Sequence, residues 1–343
     1  MVDAALKPLD ARSQQGEAEN EGFPAPQRIA QHARAESLPY VVLEGAAARL
    51  PMIATRVGGM AEIFGTEAHA LVPPGNPQAL AAAIVHTRAH PGAAAEAAQR
   101  LQERVRTHFS VDAMTQAVLA AYAEGLARRP ASGTEAPAGS LNILHVLRAP
   151  VGGLFRHVLD LVRGQHAQGH RIGVVADAST GGPNAEECFA GLAPHLALGL
   201  TRVALSRQLG LRDVSARAHV ARRALEIGAD VVHGHGAKGG AYARLARSPR
   251  AIRAYTPHGG SLHYAWSSPA GAFYLASERL LMRRTDLFLF ESGYGRAVFE
   301  AKLGRPRARV RVVHNGVAPE EFVPVAAAAD ATDLVFVGEL RSL

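Results

Sequence analysis

The chain has 343 residues, 48% of them apolar, which is long enough for two domains with cores of their own. Its apolar runs are only strand-length, so no transmembrane helix is expected, and its first thirty residues hold no apolar core of a signal peptide. A single cysteine, Cys188, rules out an internal disulfide, and a net charge of +7, with arginines scattered over 202–253 and 279–311, suits an anionic surface or substrate. No aromatic-studded basic repeat, zinc-ligand spacing or recognition-helix pattern accompanies that charge, so nucleic acid is not an expected partner.

Residues 1–33 are rich in Gln, Glu, Asn and Pro with little periodicity, and read as a disordered or loosely attached leader. From 34 to 129 strand and helix patterns alternate. Strands are predicted at Met52–Thr55 and Ala70–Pro73, and helices at Pro77–Arg88, Ala93–Phe109 and Val111–Leu126. Residues 130–140 have the Pro/Ala/Ser/Gly composition of a flexible linker. A fresh series then opens with strand Asn142–Leu147, helix Leu154–Gln168 and strand Arg171–Ala176, followed by a helix-rich stretch to Ile227. Strands Asp230–His233, Ala251–Thr256, Asp286–Phe290 and Val310–Val313 come next, with helices Phe273–Arg284 and Ser292–Leu303 between them. Continuous apolar strands alternating with helices predict a parallel sheet covered on both faces. After an alanine-rich spacer, Leu334–Arg341 reads as the first strand of another such domain.

Several short stretches carry chemistry. Glu36-Ser-Leu-Pro-Tyr-Val-Val-Leu-Glu44 sets two carboxylates eight positions apart around a turn and a helix start. On spacing alone these are as readily helix-start and helix-surface acids. Pro51-Met-Ile-Ala-Thr-Arg-Val-Gly-Gly-Met-Ala-Glu62 runs from a short strand into paired glycines. Gly152-Gly153 lies between a strand and a helix, where glycine permits close approach of backbone to phosphate or sugar. Two strand-end loops hold His233-Gly-His235 and His258-Gly-Gly260. Histidines two apart on an extended strand point to one side, which admits a metal site, but no carboxylate accompanies them, so His233, His235 and His263 read as hydrogen-bonded loop histidines. There is no Asp-x-Asp to hold a diphosphate through a divalent ion.

The Glu36–Glu44 block, its Gly-Gly strand, the Gly152-Gly153 loop, the His258-Gly loop and Asn315-Gly-Val317 together resemble the family 4 retaining glycosyltransferases, which have the GT-B fold. The resemblance implies an α/β, GT-B-like fold with one complete doubly wound Rossmann-like domain and an incomplete second one, circularly permuted. It divides the chain into a non-family leader (1–33), the C-terminal part of a nucleotide-sugar domain (34–129), a linker (130–140), the acceptor-side domain (141–325), and a spacer with the first strand of the nucleotide-sugar domain (326–343). In the family the 141–317 domain leads and the 34–129 block comes last, so the chain reads either as a permuted, shortened enzyme or as the tail of one copy running into the head of another. By the same resemblance Glu36 and His258 are the catalytic residues, with His258 near the reacting carbon of the donor sugar. Glu44 would take the ribose hydroxyls, Ser37, Leu38, Pro39, Gly152 and Gly153 would line the donor, and Arg341 would hold its diphosphate.

The implied reaction is hexose transfer from a UDP- or GDP-sugar to a glycan or lipid-linked acceptor in cell-envelope or exopolysaccharide synthesis. No cofactor and no metal are expected, and the expected location is the cytoplasm, with peripheral contact to the inner membrane. The alternative is a catalytically incomplete fragment of such an enzyme, without transferase activity.

Overall fold

The computed structural model describes residues 29–31, 37–128, 139–205, 210, 212–246, 248–323 and 335–336. Its leading unit begins with strand β1 (Ile29–Gln31) inside the stretch read as a leader. Helix α1 (Tyr40–Ala47), strand β2 (Met52–Ala54) and a short helix α2 (Met60–Phe64) come after it. The strand predicted at Ala70–Pro73 shrinks to one parallel bridge between Thr55 and Val72, because residues 65–70 wind into a 3-10 helix. Helices α3 (Pro77–Ala89) and α4 (Pro91–His108) start on prolines at their first turn, where the missing N–H costs nothing. The Asn76 side chain caps α3 by accepting from Ala79 N at 2.9 Å. One face of α4 (Ala98, Leu101, Val105) closes the small core formed by α1 and α2.

Helix α5 (Val111–Ala127) packs on the large sheet of the later domain and not on the small core of the leading unit. Its Val111, Met114, Val118, Ala121 and Tyr122 are buried in the same cluster as Ile143, Ile252, Ala254 and Leu287 of that sheet. The sheet is built from β3 (Asn142–Leu147), β4 (Arg171–Asp177), β5 (Leu200–Val203), β6 (Val231–His235), β7 (Ile252–Thr256), β8 (Leu287–Phe290) and β9 (Arg309–Val312). Its seven strands run parallel in the order β5-β4-β3-β6-β7-β8-β9, a doubly wound α/β sheet with its switch point between β3 and β6. Helices α6 (Gly152–Ala167) and α7 (Gly182–Leu192) pack with α5 on one face. The other carries α8 (Arg212–Glu226), α9 (Gly236–Leu245), α10 (Pro269–Leu281) and α11 (Gly293–Leu303).

Two expectations for this sheet are corrected. Strand β5 lies within the stretch read as helical; it is a half-buried edge strand, so it lacks the apolar run that marks its neighbours. Strand β6 runs two residues beyond the prediction, so His233 and His235 are buried strand residues and not loop histidines. The tail strand β10 (Val335–Phe336) does find partners, pairing in parallel with β1, which pairs with β2. No helix among the described residues is long and apolar enough to cross a membrane.

Helix α9 approaches the sheet unusually closely. A Cβ on Gly240 would lie 2.1 Å from the Tyr255 ring, so only glycine allows that depth. The approach buries Arg244 completely, and its guanidinium donates to Glu278 at 2.8 and 3.1 Å while stacking 3.8 Å over Tyr255. Tyr255 donates to the same carboxylate at 3.0 Å, so α9, α10 and β7 meet on one buried ion pair. Desolvation costs both charges heavily, and only the full set of partners offsets it. Glu278→Ala is therefore expected to destabilise by about 3–5 kcal/mol in denaturant unfolding, because it strands the Arg244 charge. A loss under about 1 kcal/mol would contradict this account of the anchor.

Candidate active site

The carboxyl ends of β6, β7, β8 and β9 converge, as the ligand-binding edge of an open parallel sheet does. His258 follows β7 with φ +49°, a left-handed conformation that a histidine adopts only when its surroundings hold it. Glu291 is the first residue after β8, and its Oε1 accepts from His258 Nδ1 at 2.7 Å. Burial alone would raise the Glu291 carboxyl. The charge and hydrogen bond of His258, with His157 and Asn315 beside it, outweigh that and hold it below its ordinary value.

Beneath this pair lies a group of buried histidines. The parallel register sets His145 of β3 beside His233 of β6, and His233 and His235 share one face of their strand. His145 bonds Gln165 at 2.8 Å through Nε2 and His235 at 2.9 Å through Nδ1. His233 bonds Tyr122 of α5 at 2.7 Å and Thr256 at 2.8 Å. His235 Nδ1 lies 3.1 Å from His258 Nε2, which links the group to the sheet edge. Burial pushes His145 down to about 4 and His157 to about 3, and lowers His233 and His235 as well, so all four stay neutral at pH 7.

The leading unit closes over this edge. Asn315 Nδ2 donates to the Leu38 carbonyl at 2.9 Å, and Asn315 Oδ1 faces His157 Nδ1 at 3.0 Å. Ser37 Oγ lies 3.2 Å from Ser292 Oγ, and the Ser37 carbonyl accepts from Gly59 N at 2.9 Å. A Cβ on Gly59 would sit 2.0 Å from that carbonyl, which is why the second glycine of the block cannot carry a side chain. Glu62, at the end of the same block, accepts from Gly293 N at 2.9 Å and Tyr294 N at 3.0 Å at the start of α11, and from His314 at 3.0 Å. A carboxylate on a helix N-terminus is favourably placed. Burial raises the Glu62 carboxyl, but the His314 hydrogen bond and the two backbone donors outweigh this and lower it.

The predicted residues are thus partly assembled. Ser37 and Leu38 lie against Ser292 and Asn315, in the same network as Glu291 and His258, and Pro39 precedes the first turn of α1. Gly153 faces the Tyr40 ring, and Gly152 takes φ +63° at the start of α6, on the exposed side. Glu44 does not stand free: its Oε1 lies 3.3 Å from Arg156 Nη1, a guanidinium shared with Asp160 and Glu321. Burial raises the Glu44 carboxyl, and Arg156 only partly opposes that. His258 turns both ring nitrogens inward, to Glu291 and His235, and its side chain is only 5% exposed. Glu36 and Arg341 lie outside the described residues.

Sequence reasoning gave no role to Glu62, Asn315, Glu291, His145 or His157. An acid directly after an all-apolar strand marks Glu291, since that is where ligand-facing groups sit in such sheets. Nothing local marks His157, whose partner lies 158 residues away.

Residues 151–321, about half of the chain, match the family described as Glycosyltransferase Family 4, and residues 25–90 match Glycosyl transferases group 1. A Bacillus subtilis (strain 168) protein named as a teichuronic acid biosynthesis glycosyltransferase, TuaC, is 40% identical over 74 residues, 22% of this chain and 19% of that protein. The crystal structure of a glycosyltransferase from Rickettsia africae ESF-5 superposes with a TM-score of 0.40 at 15% identity, covering 52% of this chain and 44% of that one. The chain therefore spans less than half the length of either.

Glu62→Gln keeps the side-chain size and removes the charge that holds the leading unit to α11. At pH 7 it is expected to cost about 1–2 kcal/mol in denaturant unfolding. Because the folded Glu62 is lowered, its stabilisation is full above about pH 4.3, an unfolded carboxylate's value, and is lost as pH falls through the folded value. The gap between wild type and variant should therefore narrow on acidification below that point. A gap that widens there would reject this role for Glu62.

Proposed function

The chain belongs to the family 4 glycosyltransferases, and from that premise we propose that it transfers a hexose, with retention, from a UDP- or GDP-sugar to a glycan or lipid-linked acceptor. The observation that carries this reading is the Leu38–Asn315 bond, with Asn315 also joined to His157. It brings the segment adjoining Glu36 against the network that holds His258. Glu36 and His258 would then flank one activated sugar, with Ser37–Pro39 and Gly152-Gly153 lining it.

Positive charge grows on the anomeric carbon as the diphosphate departs, so catalysis there rests on preorganised charge and dipoles. The acceptor oxygen attacks from the face the leaving group vacates. The bond from the anomeric carbon to the diphosphate oxygen breaks, and the acceptor proton passes to that phosphate oxygen. No carboxylate nucleophile enters the balance. Arg341 would hold the departing charge, for which a bidentate guanidinium fork is suited. Assembly of a cell-envelope or exopolysaccharide glycan, with peripheral contact to the inner membrane, fits the basic surface, and for the envelope glycan the likeness to the protein named for teichuronic acid biosynthesis adds support.

One observation favours a second reading, a catalytically incomplete fragment. Among the described residues the sheet of the leading unit has three strands, against seven in the other. Thermal unfolding in UDP, GDP and their hexose conjugates separates the two. A transferase gains stability with ligand concentration, by about 2.7 kcal/mol at one hundred times Kd, and with one base only. A transition unmoved by millimolar UDP and GDP alike would leave the fragment reading standing. For a chain that does bind donor, His258→Ala should lower turnover by about 100-fold, or about 2.7 kcal/mol of transition-state stabilisation.

A further inference from the structure

The Asn315 amide is oriented by its own bonds. Its Nδ2 donates to the Leu38 carbonyl, so Oδ1 is the atom facing His157 Nδ1, and that nitrogen must carry the proton. His157 Nε2 is then a bare lone pair. It is buried and has no hydrogen-bond partner among the described residues. Leaving such a nitrogen unsatisfied costs about 1–3 kcal/mol. His157, His235 and His258 each offer one ring nitrogen within 4.8 Å of the others. His258 Nδ1 is tied to the Glu291 carboxylate at 2.7 Å, which leaves its Nε2 to face His235 Nδ1 at 3.1 Å. His235 Nε2 is held in turn by His145 Nδ1 at 2.9 Å.

We propose that His157, His235 and His258 form a divalent transition-metal site, with Zn²⁺ the best-suited occupant. The ligands would be His157 Nε2, His235 Nδ1 and His258 Nε2. On each ring the other nitrogen already has the outer partner that fixes a metal-binding imidazole: an amide oxygen, a second histidine and a carboxylate. Two imidazole nitrogens on one tetrahedral zinc stand about 3.3–3.4 Å apart, given Zn–N bonds of about 2.0–2.1 Å. The His235–His258 pair, at 3.1 Å, already lies near that spacing, and one ring nitrogen of each of the three histidines lies within 4.8 Å of the others. The second trio, His145, His233 and His235, is a weaker candidate, since both ring nitrogens of His233 are bonded outside it, to Tyr122 and Thr256. Three imidazoles leave a fourth position for water or a ligand oxygen, the arrangement of an open zinc site. The proposal shares His258 with the transferase reading: with Nδ1 on Glu291, a metal on Nε2 leaves that ring no nitrogen for a donor sugar, so metal uptake is measured with no donor present.

The test uses the full chain, stripped with chelator and titrated with Co²⁺ and Zn²⁺ by absorption and calorimetry. The proposal expects one equivalent of cobalt with the intense visible bands of four-coordinate nitrogen–oxygen ligation, displaced by zinc. His157→Gln and His258→Asn should each weaken zinc binding by at least tenfold, with far-UV circular dichroism confirming the fold. His233→Asn should leave binding within about threefold. Absence of stoichiometric uptake by the wild-type chain overturns the site, since the orphan nitrogen would then face only water. Uptake lost in His233→Asn but kept in His157→Gln overturns it too, by moving the metal to the other trio. Should His157→Gln fail to fold, the wild-type cobalt spectrum and His258→Asn still decide.

Discussion

One side-chain amide joins the two parts of this molecule at the place where chemistry is expected. Asn315 is buried and has its donor on Leu38 and its acceptor on His157. A buried amide stripped of such partners costs a few kcal/mol, so the leading segment cannot lift away without exposing an unsatisfied group or admitting water. The same bonds fix the tautomer of His157 and bring Glu291, and through it His258, into one network. The position of the Ser37–Pro39 turn and the protonation pattern beneath it are thus set by one interaction.

Larger but softer forces act around that point. Glu62 on α11 and Arg156 among Glu44, Asp160 and Glu321 bring opposite charges together across the junction. Both are partly exposed, so water screens them, and each contributes less than its geometry suggests. Backbone pairing adds a further tie. Val317 N donates to the Phe109 carbonyl at 2.8 Å, and Val111 N donates to Val317 O at 3.1 Å, threading the crossover along the start of α5. Helix α5 completes the junction by lying on the large sheet, where Tyr122 reaches His233.

Strands β3, β4 and β7 and helices α3, α4 and α5 were legible in the sequence because each carries an unbroken apolar run or stripe bounded by caps and breakers. Strands β5 and β1 were not. Strand β5 is half exposed and shows no apolar run, and β1 lies in a polar stretch that gains strand structure only by pairing with distant β2 and β10. At the site, the resemblance pointed to the loop after β7, and His258 lies there. It could not foresee that His258 turns inward, because Glu291 and His235, which draw it there, are assembled by sheet register and not by spacing. His145 and His157 each sit singly in an apolar run, with no local pattern to distinguish them from filler.

The closure of the leading segment over the later domain is tested most directly by a covalent probe. Ser37 Oγ and Ser292 Oγ lie 3.2 Å apart, so cysteines at both positions, in a Cys188→Ser background, should have disulfide reach. Mild oxidation of the monomer is predicted to give a disulfide within one chain, seen as faster non-reducing migration and a mass lower by two hydrogens. Two free thiols, or a disulfide formed only between chains, would contradict the account.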